Sequence, residues 1–464
     1  MVTQYDIVVV GGGPAGYTAA IYAAKKGSKV ALIEKDRLGG TCLNRGCIPT
    51  KTYCASAELL MKMRGAEAFA IKDGGVRPEI DFSALYERKE GVVNKQVEGI
   101  RQLIKGNKIE LFEGEALIDG NGKVIIECGD FRSVVEYRKL LLATGSMPAG
   151  IRGIDIDHRL ILDSTDILSL KNLPSSLLII GGGVIGVEFA MIMSAFGVRV
   201  YLVEILKRLL STEDSMASRI ITNRLKNLGV DINVDTKIEE LKAIEGGLKV
   251  ELNNKKSFVV EKALVAAGRI PVLNARDDIK SHILNDRGFI KVDSHLRTAI
   301  PDIYAAGDIV GGMMLAHKAH YDGEIAISNM LGENREVDYS AVPAVVYTQP
   351  EVASVGLSEE KAKEMGMDVK VGRFFVASNG MAMARNATEG FVKIVSEKSS
   401  GKIIGGTVVC ESASEMITTI TMAVREGLEF EDIEDLIWPH PTISESIGEA
   451  MRDIKGMAIH KVGI

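Results

Sequence analysis

The chain opens with a short apolar run that is followed at once by a glycine-rich turn. Residues 5–10 are rich in β-branched side chains, the pattern of a buried parallel strand. GGGPAG comes next, then TAAIYAAKKG, which is typical of a helix, and KVALIE, a second strand that ends in Glu34. The pattern predicts a strand–helix–strand unit in which Gly11, Gly13 and Gly16 are spaced as G-x-G-x-x-G.

This arrangement is a dinucleotide-binding fingerprint, because each of its parts has a separate role. The glycines allow a tight turn and a close approach of the backbone, and the helix N-terminus favours a pyrophosphate. Glu34 can accept a hydrogen bond from a ribose hydroxyl. Since strand, helix and acid are all in register with the glycines, an incidental glycine turn is a weak alternative.

The same pattern returns near the middle of the chain. SLLIIGGGVIG is a strand with glycines at Gly181, Gly183 and Gly186, VEFAMIMSAFG is typical of a helix, and VRVYLVE is a strand that ends in Glu204. The duplication predicts two dinucleotide sites, or one duplicated module that has lost its site. An acid here repels a 2′-phosphate, so Glu204 favours NAD over NADP, although basic residues follow at positions 207 and 208.

Three further glycine turns follow predicted strands. ATGS contains Thr144 and Gly145, ALVAAGR contains Gly268, and TAIPDIYAAGD ends in Asp308. The backbone can approach a ligand at such turns. Asp308 could bind a ribityl hydroxyl, and its alternative role is to cap the helix that follows. Strands are also predicted in KIELFEGEALI, KVIIEC and YRKLLLATGS, with a turn at residues 114–116.

The texture of the chain changes after residue 337. Strands are predicted in VPAVVYTQPEVASVG, FVKIVSE and KIIGGTVVC, and helices at residues 358–365 and 413–426, without a glycine fingerprint. An apolar third region that lacks a nucleotide motif is a reasonable dimer interface. The whole pattern predicts an α/β protein with two Rossmann-like dinucleotide-binding domains and a C-terminal α+β domain.

Composition limits the kinds of partner. The 464 residues suggest about three domains of ~150 residues each. A formal net charge of −6 gives no general attraction to nucleic acid, and no apolar run approaches the ~20 residues that span a bilayer. The first apolar run lacks the basic region and cleavage site of a signal peptide, so we expect a cytoplasmic protein.

The candidate chemistry lies in GGTCLNRGCIPTK, where Cys42 and Cys47 have four residues between them. Half of a metal site would need a second Cys or His cluster, and the other cysteines form no close pair, so no metal is predicted. A structural disulfide suits a small secreted domain better than a long chain without a secretory signal. The third possibility is a redox-active pair. ASAELLMKM, which follows Lys51, predicts a helix, and this favours the redox-active pair because a helix N-terminus lowers the pKa of a thiol.

A histidine near the C-terminus is the second candidate reactive group. In WPHPTISE, His440 lies between two prolines that restrict its backbone, and Glu445 follows five residues later. An imidazole held by a carboxylate can act as a general base, and the alternative is an ordinary surface histidine. His317 and His320 lie on a predicted helix without a cysteine or carboxylate cluster, so we expect hydrogen-bonded polar residues rather than ligands.

These motifs together resemble those of the flavin-dependent pyridine nucleotide–disulfide oxidoreductases, in the family's order and over essentially the whole chain. GGTCLNRGCIPTK is most similar to the loop of the dihydrolipoyl dehydrogenase members. The resemblance implies a discontinuous FAD-binding domain of residues 1–145 and 270–337, an NAD-binding domain of residues 146–269 and a dimerisation domain of residues 338–464. Arg45 departs from the family's usual valine, and it could favour thiolate formation or point to solvent.

The resemblance also implies a cofactor contact for each of sixteen positions. FAD would be bound by Gly11, Gly13, Gly16, Glu34, Lys51, Ala116, Thr144, Gly145, Asp308 and the backbone at Ala316, and NAD by Gly181, Gly183, Gly186, Glu204, Ile238 and Gly268. Lys51 would lie near flavin N5 and pair with Glu188 from the second fingerprint.

The reactive groups receive roles in the same way. Cys42 would exchange with the substrate, and Cys47 would lie against the flavin as a charge-transfer thiolate. His440 of the partner subunit, supported by Glu445, would be the acid/base, so a working site would require a homodimer.

The implied activity is oxidation of dihydrolipoamide, carried on a lipoyl domain or lipoyl carrier protein, with FAD as cofactor and NAD as acceptor. The partners would be components of 2-oxo acid dehydrogenase complexes or the glycine cleavage system. Glutathione-reductase-like enzymes usually bind NADPH through arginines, where this chain has Glu204. Mercuric reductases and large thioredoxin reductases use a further site near the C-terminus, and no cysteine follows Cys410. A non-catalytic flavoprotein scaffold would not need Cys42, Cys47 and His440 together.

Overall fold

The computed structural model describes residues 3–72 and 78–462. The first elements are β1 (Gln4–Val10), α1 (Pro14–Lys25), β2 (Val30–Glu34), α2 (Gly40–Arg45), α3 (Cys47–Arg64), α4 (Phe82–Gly106), β3 (Glu110–Glu113), β4 (Glu115–Ile118), β5 (Lys123–Cys128) and β6 (Phe131–Leu142). The middle elements are β7 (Ser146–Pro148), β8 (Ile161–Leu162), α5 (Asp166–Ser169), β9 (Ser176–Ile180), α6 (Val184–Ala195), β10 (Arg199–Val203), α7 (Ser215–Asn227), β11 (Asp231–Asn233), β12 (Ile238–Ile244), β13 (Gly247–Leu252), β14 (Ser257–Val260), β15 (Lys262–Val265) and β16 (Arg269–Pro271). The last elements are α8 (Asp277–Ile283), β17 (Ile303–Ala305), α9 (Ala316–Met330), β18 (Ala344–Val346), β19 (Glu351–Gly356), α10 (Glu359–Glu364), β20 (Val369–Phe375), α11 (Gly380–Ala384), β21 (Phe391–Glu397), β22 (Ile403–Cys410), α12 (Ala413–Glu426), α13 (Glu431–Glu434) and α14 (Glu445–Asp453).

The first fingerprint lies in a sheet that is assembled from two separate parts of the chain. Its strands are ordered β3-β2-β1-β6-β5-β4. The second half of β6 pairs in parallel with β1 on one side and with β17 on the other, whereas its first half pairs antiparallel with β5. Because β17 comes from residues 303–305, the chain leaves this sheet after β6 and later returns to it.

The second fingerprint lies in a parallel sheet ordered β11-β10-β9-β15-β8. Strand β9 is almost wholly buried, as expected for an apolar strand that is covered on both faces. An antiparallel sheet of β12, β13 and β14 follows in the chain. The short antiparallel ribbon of β7 and β16 stands where the chain enters and leaves this part of the structure.

The C-terminal region forms an antiparallel sheet ordered β18-β19-β22-β21-β20. Helix α12 packs against β19 and β22, and α14 packs against β20 and β21. The sequence pattern alone does not indicate β20. This strand carries Gly372 at the point where α14 crosses it, and a Cβ there would lie only 1.9 Å from the carbonyl oxygen of Ala450. Close helix packing therefore explains a glycine inside a strand.

The turn predicted at residues 114–116 is too long, because Ala116 lies inside β4, is buried, and pairs with Ile126. Only Gly114 separates β3 from β4. As for membranes, the described residues contain no helix whose length and apolar character would allow it to cross one.

A buried ion pair joins the second parallel sheet's helical layer to the C-terminal sheet. Lys393 Nζ of β21 lies 2.5 Å from Asp214 Oδ2 and 3.3 Å from Glu359 Oε2. Lys393 and Asp214 are almost fully buried, and the other oxygen of Asp214 caps α7 by accepting from Met216 N–H. Removal of one partner would leave an unpaired charge in a dry environment.

We expect Lys393→Met to lower the free energy of unfolding by about 3–5 kcal/mol, because the Asp214 carboxylate would remain buried without its cation. The matched control is Lys398→Met, which removes an exposed partner of Asp368 and should cost less than about 1 kcal/mol. Denaturant titration of both variants measures the difference, and equal effects would show that burial of the pair has no special cost.

Candidate redox site

The two cysteines of GGTCLNRGCIPTK lie on consecutive helices. Cys42 is in α2, and Cys47 is the first residue of α3, as expected for a pair near a helix N-terminus. Both are free thiols in the structure. The loop is docked on the first fingerprint through Gly40, where a Cβ would lie only 2.7 Å from Cα of Gly13. The cysteine pair is therefore held directly beside the first dinucleotide turn.

The environment makes the two thiols unequal. A hydrogen bond donated by the Cys42 thiol lowers the pKa of Cys47 to about 7, against the opposing effect of burial, and Lys51 lowers it further. The same hydrogen bond, together with burial, raises the pKa of Cys42. Near neutral pH Cys47 is thus the thiol of the pair that ionises, whereas Cys42 stays a neutral thiol.

Lys51 and Glu188 form the ion pair that the resemblance implies. The Lys51 ammonium lies 3.0 Å from each carboxylate oxygen of Glu188, and Glu188 is only 3% exposed. Burial opposes the charged form of Lys51, but its contacts with Glu188 outweigh that effect and raise the pKa of Lys51. A permanent positive charge is thereby kept near Cys47.

Arg45 agrees with the second expectation, because 40% of its side chain is exposed to solvent. Its guanidinium forms an ion pair with Asp36, which follows β2, so it is not a charge placed against the cysteines. The pKa of Cys47 reflects Cys42, Lys51 and Glu188 instead. The departure from valine therefore ties the cysteine loop to the segment that follows β2.

The glycines of the first fingerprint are of two kinds: two lie against backbone atoms, and one faces open space. A Cβ at Gly16 would lie 1.7 Å from the carbonyl oxygen of Gly11, and one at Gly11 would lie 2.3 Å from that of Ala143. These two glycines are required by the packing of the chain itself. Gly13, at the N-cap of α1, has nothing nearer than 3.8 Å, so the space before the helix is open for a ligand.

The second fingerprint repeats this geometry. A Cβ at Gly186 would lie 1.9 Å from the carbonyl oxygen of Gly181, whereas one at Gly183 would meet nothing within 4 Å. In the first copy Glu34 accepts the N–H of Gly12 at 2.6 Å, and in the second Glu204 accepts the N–H of Gly182 at 2.6 Å. Both copies thus keep a binding cradle and a positioned acid, which argues against the loss of one site.

Thr144 and Asp308 lie where the first parallel sheet ends. Thr144 Oγ1 is buried and has no hydrogen-bond partner among the described residues, so it is available to a ligand. Asp308 Oδ2 accepts a hydrogen bond of 2.5 Å from Ser146 Oγ. Asp308 caps neither the short helical turn at 307–310 nor α9, so the alternative role as a helix cap is wrong.

Ser146 and Arg269 are polar residues of this region that the sequence did not indicate as site residues. Arg269 donates to Ser146 Oγ and to the Ser146 carbonyl oxygen, each at 2.7 Å, and lies 3.9 Å from Asp308. The only sequence signal was their position directly after the glycine turns ATGS and ALVAAGR. The partners come from distant segments, so periodicity could not reveal the contact.

The remaining predicted cofactor contacts are spread over both nucleotide-binding sheets. Gly145 follows Thr144 with a left-handed φ of 73°, and Gly268 takes the same place after β15 with a φ of 119°. Ala316 is the first residue of α9, and Ile238 is the first residue of β12. Ala116 is buried in β4, where it pairs with Ile126 of β5.

His440 and Glu445 form the expected pair. His440 Nδ1 lies 2.9 Å from Glu445 Oε1, and the other oxygen of Glu445 accepts the N–H of Thr442 at 2.9 Å. The His440 side chain is 80% exposed. The carboxylate orients one ring nitrogen, so Nε2 is left for a partner. His317 and His320 contact Pro343 O and Tyr17 Oη respectively, which confirms them as hydrogen-bonded polar residues.

One exposed cluster elsewhere has three side chains of a metal-binding type. His158, Asp163 and Asp166 lie together near α5. Their oxygens already accept local hydrogen bonds: Asp163 binds the N–H groups of Thr165 and Asp166, and Asp166 binds the N–H of Asp163 and the imidazole of His158. The cluster is thus accounted for as a turn that starts a short helix.

Comparison with known proteins identifies the class. Residues 5–323 match the model of the pyridine nucleotide-disulphide oxidoreductases, and residues 342–451 match the dimerisation domain of that family. The chain therefore belongs to the pyridine nucleotide-disulphide oxidoreductases.

Individual proteins of this family are similar to nearly the whole chain. The chain is 39% identical to a dihydrolipoyl dehydrogenase of Geobacillus stearothermophilus, covering 98% of this chain and 97% of the relative. Among solved structures it is similar to LpdA from Mycobacterium tuberculosis, with a TM-score of 0.90, 28% identity and coverage of 97% of this chain and 99% of the other. It is also similar to the HOCl-induced flavoprotein disulfide reductase RclA from Escherichia coli, with a TM-score of 0.86, 31% identity and coverage of 96% and 99%.

We expect the reduced, flavin-free protein to react with iodoacetamide at Cys47 with a pH midpoint of about 7, because the thiolate forms above its lowered pKa. Cys42 should remain unmodified at that pH, since its thiol is kept neutral. Peptide mass spectrometry after timed alkylation at several pH values assigns each site. Equal reactivity of Cys42 and Cys47 would contradict the inequality of the pair.

Proposed function

We propose that this chain is an FAD-dependent dihydrolipoyl dehydrogenase that transfers two electrons from dihydrolipoamide to NAD+. The observation that carries the proposal is the Cys42–Cys47 pair, with a stabilised thiolate at the start of α3 beside Lys51. Relatives that cover nearly the whole chain are dihydrolipoyl dehydrogenases, and this supports the choice of substrate.

The residues of the two fingerprints fit the two dinucleotides. FAD would be held at the open N-terminus of α1 by Gly13, with Thr144 and Asp308 as polar contacts. NAD would be held by the equivalent open turn at Gly183, with Glu204 facing the ribose. When bound, FAD would supply the two-electron acceptor that links oxidation of the cysteine pair to reduction of NAD+.

The cysteines themselves perform thiol–disulfide exchange. A substrate thiolate attacks Sγ of Cys42 in the oxidised pair, which breaks the S–S bond and releases Cys47 as thiolate. The second substrate thiolate then attacks its own mixed-disulfide sulfur, forms the cyclic disulfide and releases Cys42. Two electrons have then moved to the cysteine pair, and of the two substrate protons one is taken by the base and one by Cys42, whose raised pKa keeps it a neutral thiol. The low pKa of Cys47 makes it the good leaving group.

His440 would act as the base that forms the substrate thiolate. A dithiol of ordinary pKa is mostly protonated at pH 7, so a nearby imidazole is needed to make it a nucleophile. The exposed position of His440 and the match of residues 342–451 to a dimerisation domain support delivery by His440 of the partner subunit. Glu445 would stabilise the imidazolium that forms.

The wider assignment follows from this chemistry. We propose a FAD-binding domain of residues 1–145 and 270–337, an NAD-binding domain of residues 146–269 and a dimerisation domain of residues 338–464, supported by the membership of the sheets. The partner would be a lipoyl domain or lipoyl carrier protein of a 2-oxo acid dehydrogenase complex or the glycine cleavage system. A cysteine pair that must cycle suits the reducing cytoplasm.

We expect the purified yellow protein to reduce NAD+ with dihydrolipoamide, and to prefer NAD+ over NADP+ on the order of a hundredfold in kcat/KM, because Glu204 repels a 2′-phosphate. Steady-state absorbance of the reduced nucleotide measures both values. NADPH with oxidised glutathione is run beside it. Turnover of glutathione without turnover of dihydrolipoamide would contradict the proposed substrate.

We expect His440→Gln to lower the rate of dihydrolipoamide oxidation by about 10²–10⁴-fold, because the substrate thiol loses its base. Transfer from NADH to an artificial electron acceptor needs no substrate thiolate, so it should stay near normal. His282→Gln, at an exposed histidine of α8, is the matched control. Near-normal dihydrolipoamide turnover in His440→Gln would exclude the base assignment.

A further inference from the structure

The Lys51–Glu188 pair has a third member that comes from the C-terminal part of the chain. Tyr347 follows β18, and its ring lies beneath the Lys51 ammonium, with Nζ 4.3 Å from the ring centroid. Its backbone N–H donates to Glu188 Oε1 at 2.9 Å. Lys51 comes from α3, Glu188 from α6 and Tyr347 from the chain that leads into the C-terminal sheet. Three distant segments thus meet at one charge.

The contacts of Tyr347 leave Lys51 little freedom. Two directions of the ammonium are taken by the carboxylate oxygens of Glu188, and the aromatic face occupies another side. The Tyr347 carbonyl oxygen accepts a weak hydrogen bond from the Cys54 thiol at 3.6 Å, one turn beyond Lys51 on α3. The backbone of Tyr347 is therefore tied to both helices while its ring covers the cation.

We propose that Tyr347 is a positioning residue that holds the Lys51 ammonium toward Cys47 through the face of its ring. A lysine on a four-carbon stem has several rotamers, and Glu188 alone fixes the charge only on one side. A partly buried cation gains from an aromatic face what it has lost in hydration. The proposal concerns the reaction proposed above, but its test does not depend on the substrate.

Several charged and titratable groups around Cys47 affect its pKa, and the effect of Lys51 must be distinguished from theirs. Cys42 and Lys51 lower the pKa of Cys47, Glu188 raises it, and burial raises it. Arg269 and Tyr347 also interact with Cys47 electrostatically. A change confined to the Tyr347 ring leaves the backbone hydrogen bond to Glu188 in place, so it tests the position of Lys51 rather than the presence of the ion pair.

The experiment compares Tyr347→Leu with Tyr347→Phe. The two-electron-reduced holoprotein is titrated across pH 5–10, and the Cys47 thiolate is followed by its long-wavelength charge-transfer absorbance with the flavin. We expect Tyr347→Leu to raise the pH midpoint of Cys47 by about half a unit or more, because Lys51 loses its cation–π partner and stabilises the thiolate less well. Tyr347→Phe keeps the aromatic face, so its midpoint should match that of the unchanged protein.

The matched control is Tyr22→Leu, which removes the ring beneath Lys26, a lysine paired with Glu333 on the surface and away from the cysteines. It should leave the midpoint unchanged. No shift in Tyr347→Leu would overturn the proposal, and so would an equal shift in Tyr347→Phe, since the hydroxyl rather than the ring would then be responsible. Failure to oxidise dihydrolipoamide with a shifted midpoint would instead count against the proposed substrate alone.

Discussion

The structure depends most on the ion pair between Lys51 and Glu188. The two residues stand on α3 and α6, helices from the two different nucleotide-binding regions, and the Glu188 side chain is buried whereas that of Lys51 is partly exposed. The largest apolar cluster surrounds this junction and contains side chains from the first, middle and C-terminal parts of the chain. A buried pair is costly unless both charges are well satisfied, so the helices are held in one relative position. The same pair places a cation beside Cys47. The contact between Lys51 and Glu188 therefore both fixes the two helices and favours the Cys47 thiolate.

The duplicated fingerprint shows how a fold can prepare a ligand site without the ligand. In both copies the first and third glycines are demanded by contacts between backbone atoms, while the middle glycine faces open space. In both copies an acid at the end of the second strand accepts the N–H beside the first glycine at 2.6 Å. In each copy, two of the three glycines are thus explained by packing of the chain. Only the middle glycine, Gly13 or Gly183, is explained by space for a ligand. The retention of the open position in both copies is the physical argument for two dinucleotides.

Much of the fold could be predicted from periodicity, because each strand–helix–strand unit is local in sequence. The cysteine pair at the start of α3 and the pairing of His440 with Glu445 were accessible for the same reason. The strand β20 was missed because its central Gly372 is explained only by the approach of α14, a contact that no local pattern contains. The partner of Arg45 was not predictable either, since Asp36 reaches it only through tertiary folding. The sequence thus reveals units and motifs, whereas contacts between units need the structure.

The exposed histidine supports the proposal that a complete site needs two copies of the chain. His440 is oriented by Glu445, and a base that is oriented yet 80% exposed has no substrate surface of its own. Cys42 and Cys47, in contrast, lie partly buried beside the first dinucleotide turn. The base must remove the proton from the same substrate sulfur that then attacks the cysteine disulfide. Since residues 342–451 match a dimerisation domain, association would bring these two half-sites together and would make proton removal conditional on assembly. Under the proposed function, formation of the dimer is therefore a step that the catalytic mechanism requires.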